Sequence, residues 1–358
     1  MITREQVLVA LSNVEDPDFK KDLVTLNMIR DIEITPNRLR FSVVLTTPAC
    51  PMKDHIEHAC RNAISYFVDK DIEVDIHMTS KVTALPEQAQ LADIKNIILV
   101  ASGKGGVGKS TVAANLALSL AEKGAKVGLL DADIYGPSQP LMFGVEGARP
   151  QASQTPDGKT RIQPIERFGI KLLSIGFFTD PRQPVPWRGP MVSAAIKQLF
   201  SDADWGELDY LVVDLPPGTG DIHITVAQNY PITGAVIVTT PQQVALADAI
   251  KGMGMFMMNN IDIPILGIVE NMAYFTPAEL PESKYYIFGK DGGKRLAKDF
   301  DLPFLGEVPL VKSMSDAGDN GFPIVLDEDS PIAGVFATIA ERMAQQVSLL
   351  HVREKENV

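Results

Sequence analysis

Asn96-Ile-Ile-Leu-Val-Ala-Ser-Gly103-Lys-Gly-Gly-Val-Gly-Lys-Ser110 joins a short apolar run to the spacing G-x-x-x-x-G-K-[ST]. An apolar run of this length, closed by glycines, reads as a buried strand. Residues 109–123 are long enough and regular enough for a helix. Strand, glycine loop and helix in that order are the context a phosphate-binding loop requires. Because its glycines lack Cβ atoms, the loop formed by Gly103, Lys104, Gly105, Gly106, Val107 and Gly108 can turn its backbone N–H groups toward phosphate. The helix that follows adds the partial positive charge of its N-terminus. Lys109 is expected to reach the β- and γ-phosphates of ATP, Ser110 to offer its hydroxyl to Mg²⁺, and Thr111 to lie against the α-phosphate.

Outward from this loop, apolar runs alternate with helical stretches. They fall at 97–101, 127–130, 210–213, 235–239, 265–269 and 304–305. Continuous apolar runs suit strands buried on both faces, so the prediction is an α/β fold with a parallel sheet and helices on each side. Ligands of such sheets bind at the carboxyl ends of the strands, and the run ends carry polar residues. Leu211-Val-Val-Asp214 ends in a carboxylate, the usual second metal-side group of a phosphate-loop enzyme, acting on Mg²⁺ through water. After it comes Leu-Pro-Pro-Gly-Thr-Gly-Asp221, where Gly218 and Gly220 allow the segment to move as a switch. Leu129-Leu-Asp131-Ala-Asp133 ends another run, and Ile268-Val-Glu-Asn271 a third. Ser330-Pro331 reads as an N-cap followed by proline at the first helical position. The final HVREKENV reads as a frayed tail.

Residues 1–78 form a second, small α/β unit: a helix over 4–12, strands over 28–34 and 38–45, a helix over 52–68 and a strand over 72–76. Residues 79–95 read as a linker, and 96–358 as the ATPase domain. The chain has two cysteines, too few for a disulfide scaffold. Cys50 lies at a loop-to-helix junction, where a thiol is either activated by the helix or packed. Cys60 reads as a small buried hydrophobe, and His55 and His58 as solvated side chains one turn apart.

Net charge is −12 over 358 residues, spread along the chain. Sequence-independent nucleic-acid binding rests on neutralising phosphates, so it is disfavoured. The N-terminus has no basic and apolar export pattern, and no stretch is long and apolar enough to span a bilayer. The expectation is a cytoplasmic protein bound to neither nucleic acid nor membrane.

Lys104, directly after the first glycine, resembles the second phosphate-loop lysine of the dimeric ATPases that include the septum-site, partition, arsenite-pump and nitrogenase-iron-protein families. The resemblance implies a homodimer in which Lys104 reaches the partner's nucleotide. It implies that Asp133 lies near the attacking water, with Asp131 either supporting it or joining the Mg²⁺ shell, and that Asn271 reads the adenine edge. Lys104, Lys109, Asp133 and Asp214 are then the catalytic set. The stretches GKGGVGKS, DADIYGPS, VPWRGPM, DWGELDYLVVDLPPGTGD and GIVENM, in that order, resemble the Mrp/ApbC-type iron–sulfur cluster carrier ATPases. DPDF followed by TTPACPM resembles the small iron–sulfur assembly module often fused to them.

The implied role is ATP-driven transfer of clusters to apoproteins together with assembly factors. Members commonly carry a Cys-x-x-Cys pair after the ENM segment, which holds a cluster between two subunits. This chain has no cysteine after Cys60, so any cluster is expected to be labile and to depend on Cys50. Alternatives are a partner-remodelling or partition-type dimeric ATPase that holds no cluster.

Lys109→Ala removes the main cation facing the β- and γ-phosphates. It is expected to abolish productive ATP binding; turnover at the parental rate would refute the assignment.

Overall fold

A computed structural model describes residues 2–82, 91, 93–154, 160–179, 189–277, 279–280 and 282–356. The chain divides into two compact units, Met1–Thr83 with Ala344–Val358, and Ala84–Met343.

The larger unit is built on an eight-stranded sheet. Its strands run side by side in the order Ile165–Arg167, Ile170–Ser174, Val127–Asp131, Tyr210–Asp214, Ile97–Ala101, Gly234–Thr239, Ile265–Glu270 and Phe304–Glu307. All neighbours are parallel except the edge hairpin of Ile165–Arg167 with Ile170–Ser174. Every residue of Ile97–Ala101, Val127–Asp131 and Tyr210–Asp214 is buried, as a strand covered on both faces requires. Crossover helices include Lys109–Glu122, Asp221–Asn229 and Gln243–Phe256.

The register places the chemistry. Asp214 pairs with Asp131 on one side and with Val100 on the other. Two strand-end carboxylates and the start of the phosphate loop therefore meet at one edge. Strands 127–131 and 210–214 each run one residue beyond the apolar run that marked them, taking their aspartates into the ladder.

The smaller unit pairs Ile29–Ile34 antiparallel with Arg38–Leu45, and that strand parallel with Glu73–Ser80. Helices Arg4–Leu11 and Lys53–Phe67 cover it. Thr3 and Gln6 form a reciprocal capping box at the first helix, satisfying two otherwise orphaned N–H groups. The core includes Leu11, Leu39, Phe41, Ile56 and Ile64.

Two expectations meet a different outcome, and one strand lies where none was expected. The strand at 72–76 continues to Ser80, inside the segment taken as linker; residues 83–90 and 92 of that segment lie outside the described residues. The sequence reading did not anticipate the strand Ile170–Ser174. The C-terminal helix spans Pro331–Glu356, with Ser330 Oγ accepting from Ile332 N at 3.3 Å. It does not fray at His351. Its buried stripe passes from Met343 through Val347 and Ser348 to His351, and its residues from Ala344 group with the smaller unit. Within that unit Gln345 Nε2 donates to the Asp18 carboxylate. A helix with an apolar face to bury does not end where the sequence turns polar on its other faces.

Candidate functional site

The glycine loop has the geometry its composition asks for. Gly106 and Gly108 have φ of +82° and +80°, the left-handed region that favours glycine. Gly103 has a different reason: a Cβ there would lie 2.1 Å from the backbone carbonyl carbon of Asp248. The loop thus packs directly on the helix Gln243–Phe256. A cavity of about 240 Å³ opens at the loop, lined by Lys104, Lys109, Ser110, Thr111, Asp133 and Pro217 among others. It is smaller than the ~300–1,000 Å³ usual for whole small molecules, and suits a phosphate chain.

Lys109 is 6% exposed and forms an ion pair with Asp214, which is fully buried. Its Nζ also donates to Ser110 Oγ at 3.2 Å. The other oxygen of Asp214 accepts from Gln139 Nε2 at 2.9 Å, and the same Nε2 donates to the Ser110 carbonyl at 3.0 Å. Asp214 is therefore held on both oxygens.

Asp131 is fully buried and accepts from the Asp133 N–H at 3.2 Å, the Gln139 N–H at 3.2 Å and the Ser174 hydroxyl at 2.9 Å. Burial, reinforced by the charge of Asp214, pushes its pKa up to about 7. With its lone pairs engaged by three donors, its geometry is that of a brace for Asp133 and Gln139. Asp133 lines the cavity and accepts from Gly136 N at 3.2 Å. Burial raises its pKa, and Lys109 opposes the rise.

Lys104 lines the cavity, and its ammonium has no ion-pair partner among the described residues. The segment after Asp214 is anchored to the strand before the phosphate loop: Leu215 N donates to Val100 O at 3.1 Å and Gly218 N to Ser102 O at 2.9 Å. Gly218 has φ +94°.

Asn271, expected to face adenine, is 1% exposed, and its Nδ2 donates to Val107 O at 2.8 Å. A Cβ on Gly108 would sit 2.2 Å from that Nδ2. In this structure Asn271 clamps the phosphate loop to the end of strand Ile265–Glu270, and its Oδ1 has no partner among the described residues.

The donor set around Ser110 is all oxygen: its hydroxyl and the Asp214 carboxylate, with Asp131 behind. Hard oxygen donors in small number fit Mg²⁺, which keeps several waters. Among the described residues no group of three or more His, Cys, Asp or Glu could hold a metal ion. In the ENM segment Phe275 bridges to Tyr285, and Lys284 Nζ lies 3.8 Å from the Tyr274 ring centre. Of the VPWRGPM stretch, residues 185–188 lie outside the described residues.

In the smaller unit Cys60 is fully buried and its thiol is pushed up to about 12, which keeps it protonated and a poor ligand. Cys50 is half-buried against the core. It precedes the helix Lys53–Phe67, whose N-cap is Met52, so it does not occupy the cap position where a helix dipole acts most strongly.

Comparison with known proteins adds the family. Residues 93–344 match the family described as NUBPL iron-transfer P-loop NTPase, and residues 4–76 match the iron–sulfur cluster assembly protein family. The chain belongs to the iron-transfer P-loop NTPases. It is 46% identical to an iron–sulfur cluster carrier protein of Synechocystis over 98% of this chain and 99% of that one. It is 40% identical to the carrier protein of Escherichia coli K12 over 96% and 92%. The chloroplastic Fe–S cluster assembly factor HCF101 of Arabidopsis thaliana is 42% identical over 96% of this chain and 64% of its own length. An ADP complex of a nucleotide-binding protein from Archaeoglobus fulgidus superposes with a TM-score of 0.58 at 38% identity, covering 68% of this chain and 92% of that one. No helix among the described residues is long and apolar enough to cross a membrane.

Sequence reading missed three residues of this iron-transfer NTPase. Gln139 and Ser174 brace the carboxylates. Ser174 could have been found from the run Ile170-Lys-Leu-Leu-Ser174, whose end lies beside Asp131. His223 lies two residues after Asp221, fully buried, with neither ring nitrogen hydrogen-bonded among the described residues. Burial, with the charge of Lys109 adding to it, lowers its pKa from 6.5 to about 4.

An unfolded chain therefore binds a proton at His223 between about pH 6.5 and 4 where the folded one does not, and stability falls as pH drops through that window. From pH 7 to 5 the cost is about 2 kcal/mol. Asp131, with its folded pKa raised, acts in the opposite direction over an overlapping range, so the comparison must be between variants. His223→Leu is expected to lose less stability than the parent between pH 7 and pH 5, read as urea midpoints. An identical pH dependence in both proteins would refute the buried neutral imidazole.

Proposed function

We propose that this chain carries iron–sulfur clusters to recipient apoproteins, in cooperation with assembly factors, and that Mg²⁺-dependent ATP hydrolysis at the Lys109 site drives the cycle. The observation that carries the reading is the pairing, in one chain, of an iron–sulfur assembly module with an assembled phosphate-loop site. Carrier proteins share that pairing over nearly the full length.

The site's own residues supply most of the chemistry. Asp214 pairs with the Lys109 ammonium. An incoming phosphate chain competes for that ammonium, and Lys109 shifts to the β- and γ-oxygens. The loop N–H groups spread over the same charge. The Ser110 hydroxyl, with Asp214 acting through water, would hold Mg²⁺, which would neutralise charge developing on the phosphates. Asp133, at the cavity wall, orients the attacking water, and Asp131 keeps Asp133 in place. Lys104, without an ion-pair partner in its own chain's described residues, acts on the nucleotide of a second copy, making the working form a homodimer. We assign the reaction to the cytoplasm.

The cluster is cargo. Residues 61–358 contain no cysteine, so the larger unit cannot offer the thiolates that clusters normally use. With Cys60 buried and protonated, Cys50 is the thiol left to hold cargo, completed by a second copy or by thiols of the recipient. The lack of thiols in the larger unit favours a second reading, an ATPase that remodels partners and holds no cluster.

Anaerobic reconstitution with iron and sulfide, read by iron content and visible absorption, separates the two. Carriage predicts iron uptake by the parent, easily lost to chelator, and little uptake by Cys50→Ser. Equal uptake by both would overturn the ligand assignment. No uptake by either would overturn the carrier reading and leave partner remodelling as the better description.

A further inference from the structure

We propose that Gln139, with Ser138, is a positioning residue for the metal-bound nucleotide. Its amide nitrogen fixes Asp214 to the phosphate loop, and its amide oxygen receives water held by a divalent cation at Ser110. This deepens the nucleotide-site reading above and rests on it.

Gln139 is fully buried, which is rare for a glutamine unless its amide is engaged. Half of it is engaged. Nε2 donates to the Ser110 carbonyl at 3.0 Å and to Asp214 Oδ2 at 2.9 Å, using both of its hydrogens. The backbone N–H of the same residue donates to Asp131 Oδ2 at 3.2 Å. One residue therefore ties both strand-end carboxylates to the first helical turn after the phosphate loop.

The other half is left over. Gln139 Oε1 is shielded from solvent and has no hydrogen-bond partner among the described residues, and the neighbouring Ser138 Oγ is in the same condition. Ser138 also lines the cavity beside Ser110. A buried acceptor without a donor carries an uncompensated desolvation cost, and such atoms in folded proteins ask for a missing ligand or water.

The chemistry of the missing group follows from what surrounds it. Oε1 shares its carbon with Nε2, so it lies beside the groups that Nε2 touches. Those groups, the Ser110 carbonyl and the Asp214 carboxylate, are acceptors and cannot satisfy it. What is needed there is a donor. Mg²⁺ keeps several of its waters when it binds phosphates and one or two protein oxygens. Those waters are polarised by the ion and are strong donors. Ser110, the expected metal ligand, is held by Gln139 through its own carbonyl. An outer-shell residue that orients a ligand and receives metal-bound water is worth roughly 10- to 100-fold in metal affinity.

The test is calorimetric binding of ADP to the full chain, in excess Mg²⁺ and in EDTA, for the parent, Gln139→Leu and Ser138→Ala. In EDTA, Gln139→Leu is expected to lose some ADP affinity, because the loop loses its tie to Asp214, but less than it loses in Mg²⁺. In Mg²⁺ the gain in affinity shown by the parent is expected to shrink by about 10-fold or more in Gln139→Leu, and by a smaller factor in Ser138→Ala. Equal losses in both conditions would mean that Gln139 only supports the fold, and no loss in either variant would mean that no cation-held water is received there; both overturn the proposal. Should Gln139→Leu fail to fold, Ser138→Ala decides alone. A parent that binds no ADP in either condition would instead sink the nucleotide-site reading itself.

Discussion

The buried ion pair between Lys109 and Asp214 is the constraint around which the larger unit is arranged. Removing a lysine ammonium and a carboxylate from water is costly, and only close pairing with further hydrogen bonds offsets it. The sheet provides that pairing. Strand Tyr210–Asp214 lies between Val127–Asp131 and Ile97–Ala101, so Asp214 emerges beside the loop that carries Lys109. Gln139 holds the second oxygen of Asp214, and Asp131 holds the Gln139 backbone. The arrangement keeps a positive charge buried at the loop.

That arrangement also links the site to its surroundings. The first loop glycine touches the backbone of helix Gln243–Phe256 with no room for a Cβ. Asn271 ties Val107 to a third strand end. The segment after Asp214 is bonded to the strand before the loop. In the proposed cycle, a phosphate chain that draws Lys109 away from Asp214 acts on the segment that carries Gly218 and Gly220. This is the physical content of a nucleotide switch, and cargo handling by the iron-transfer family is coupled to it in the proposed cycle.

Much of this was legible in the residues. The phosphate loop and the six apolar runs gave the central strands, and the aspartates that end two of them lie where a parallel sheet puts ligands. What was not legible had physical causes. Ile170–Ser174 lies next to a short hairpin strand and among irregular segments, and its five residues carry little periodic signal. The C-terminal helix outlasts its apparent end because burial of Val347 and His351 depends on tertiary packing that a polar tail does not advertise. Gln139 and His223 are polar residues in fully buried positions, and sequence patterns assign such types to the surface. Asn271 was read as facing adenine, and its hydrogen bond to Val107 O is a tertiary contact that no local sequence pattern carries. The role of Cys50 rests on elimination in the sequence and on the burial of Cys60 in the structure.

The central claim is that phosphate replaces Asp214 as the partner of Lys109. The most direct measurement compares the unfolding midpoints of the parent and Asp214→Asn in EDTA, with and without saturating ADP, so that no metal enters. Without nucleotide the variant leaves a buried ammonium short of its counter-charge and is expected to lose about 3–5 kcal/mol. With ADP bound, the phosphates supply that charge, and most of the loss is expected to be recovered. An equal deficit with and without ADP would contradict the exchange, because Lys109 would then depend on Asp214 in both states.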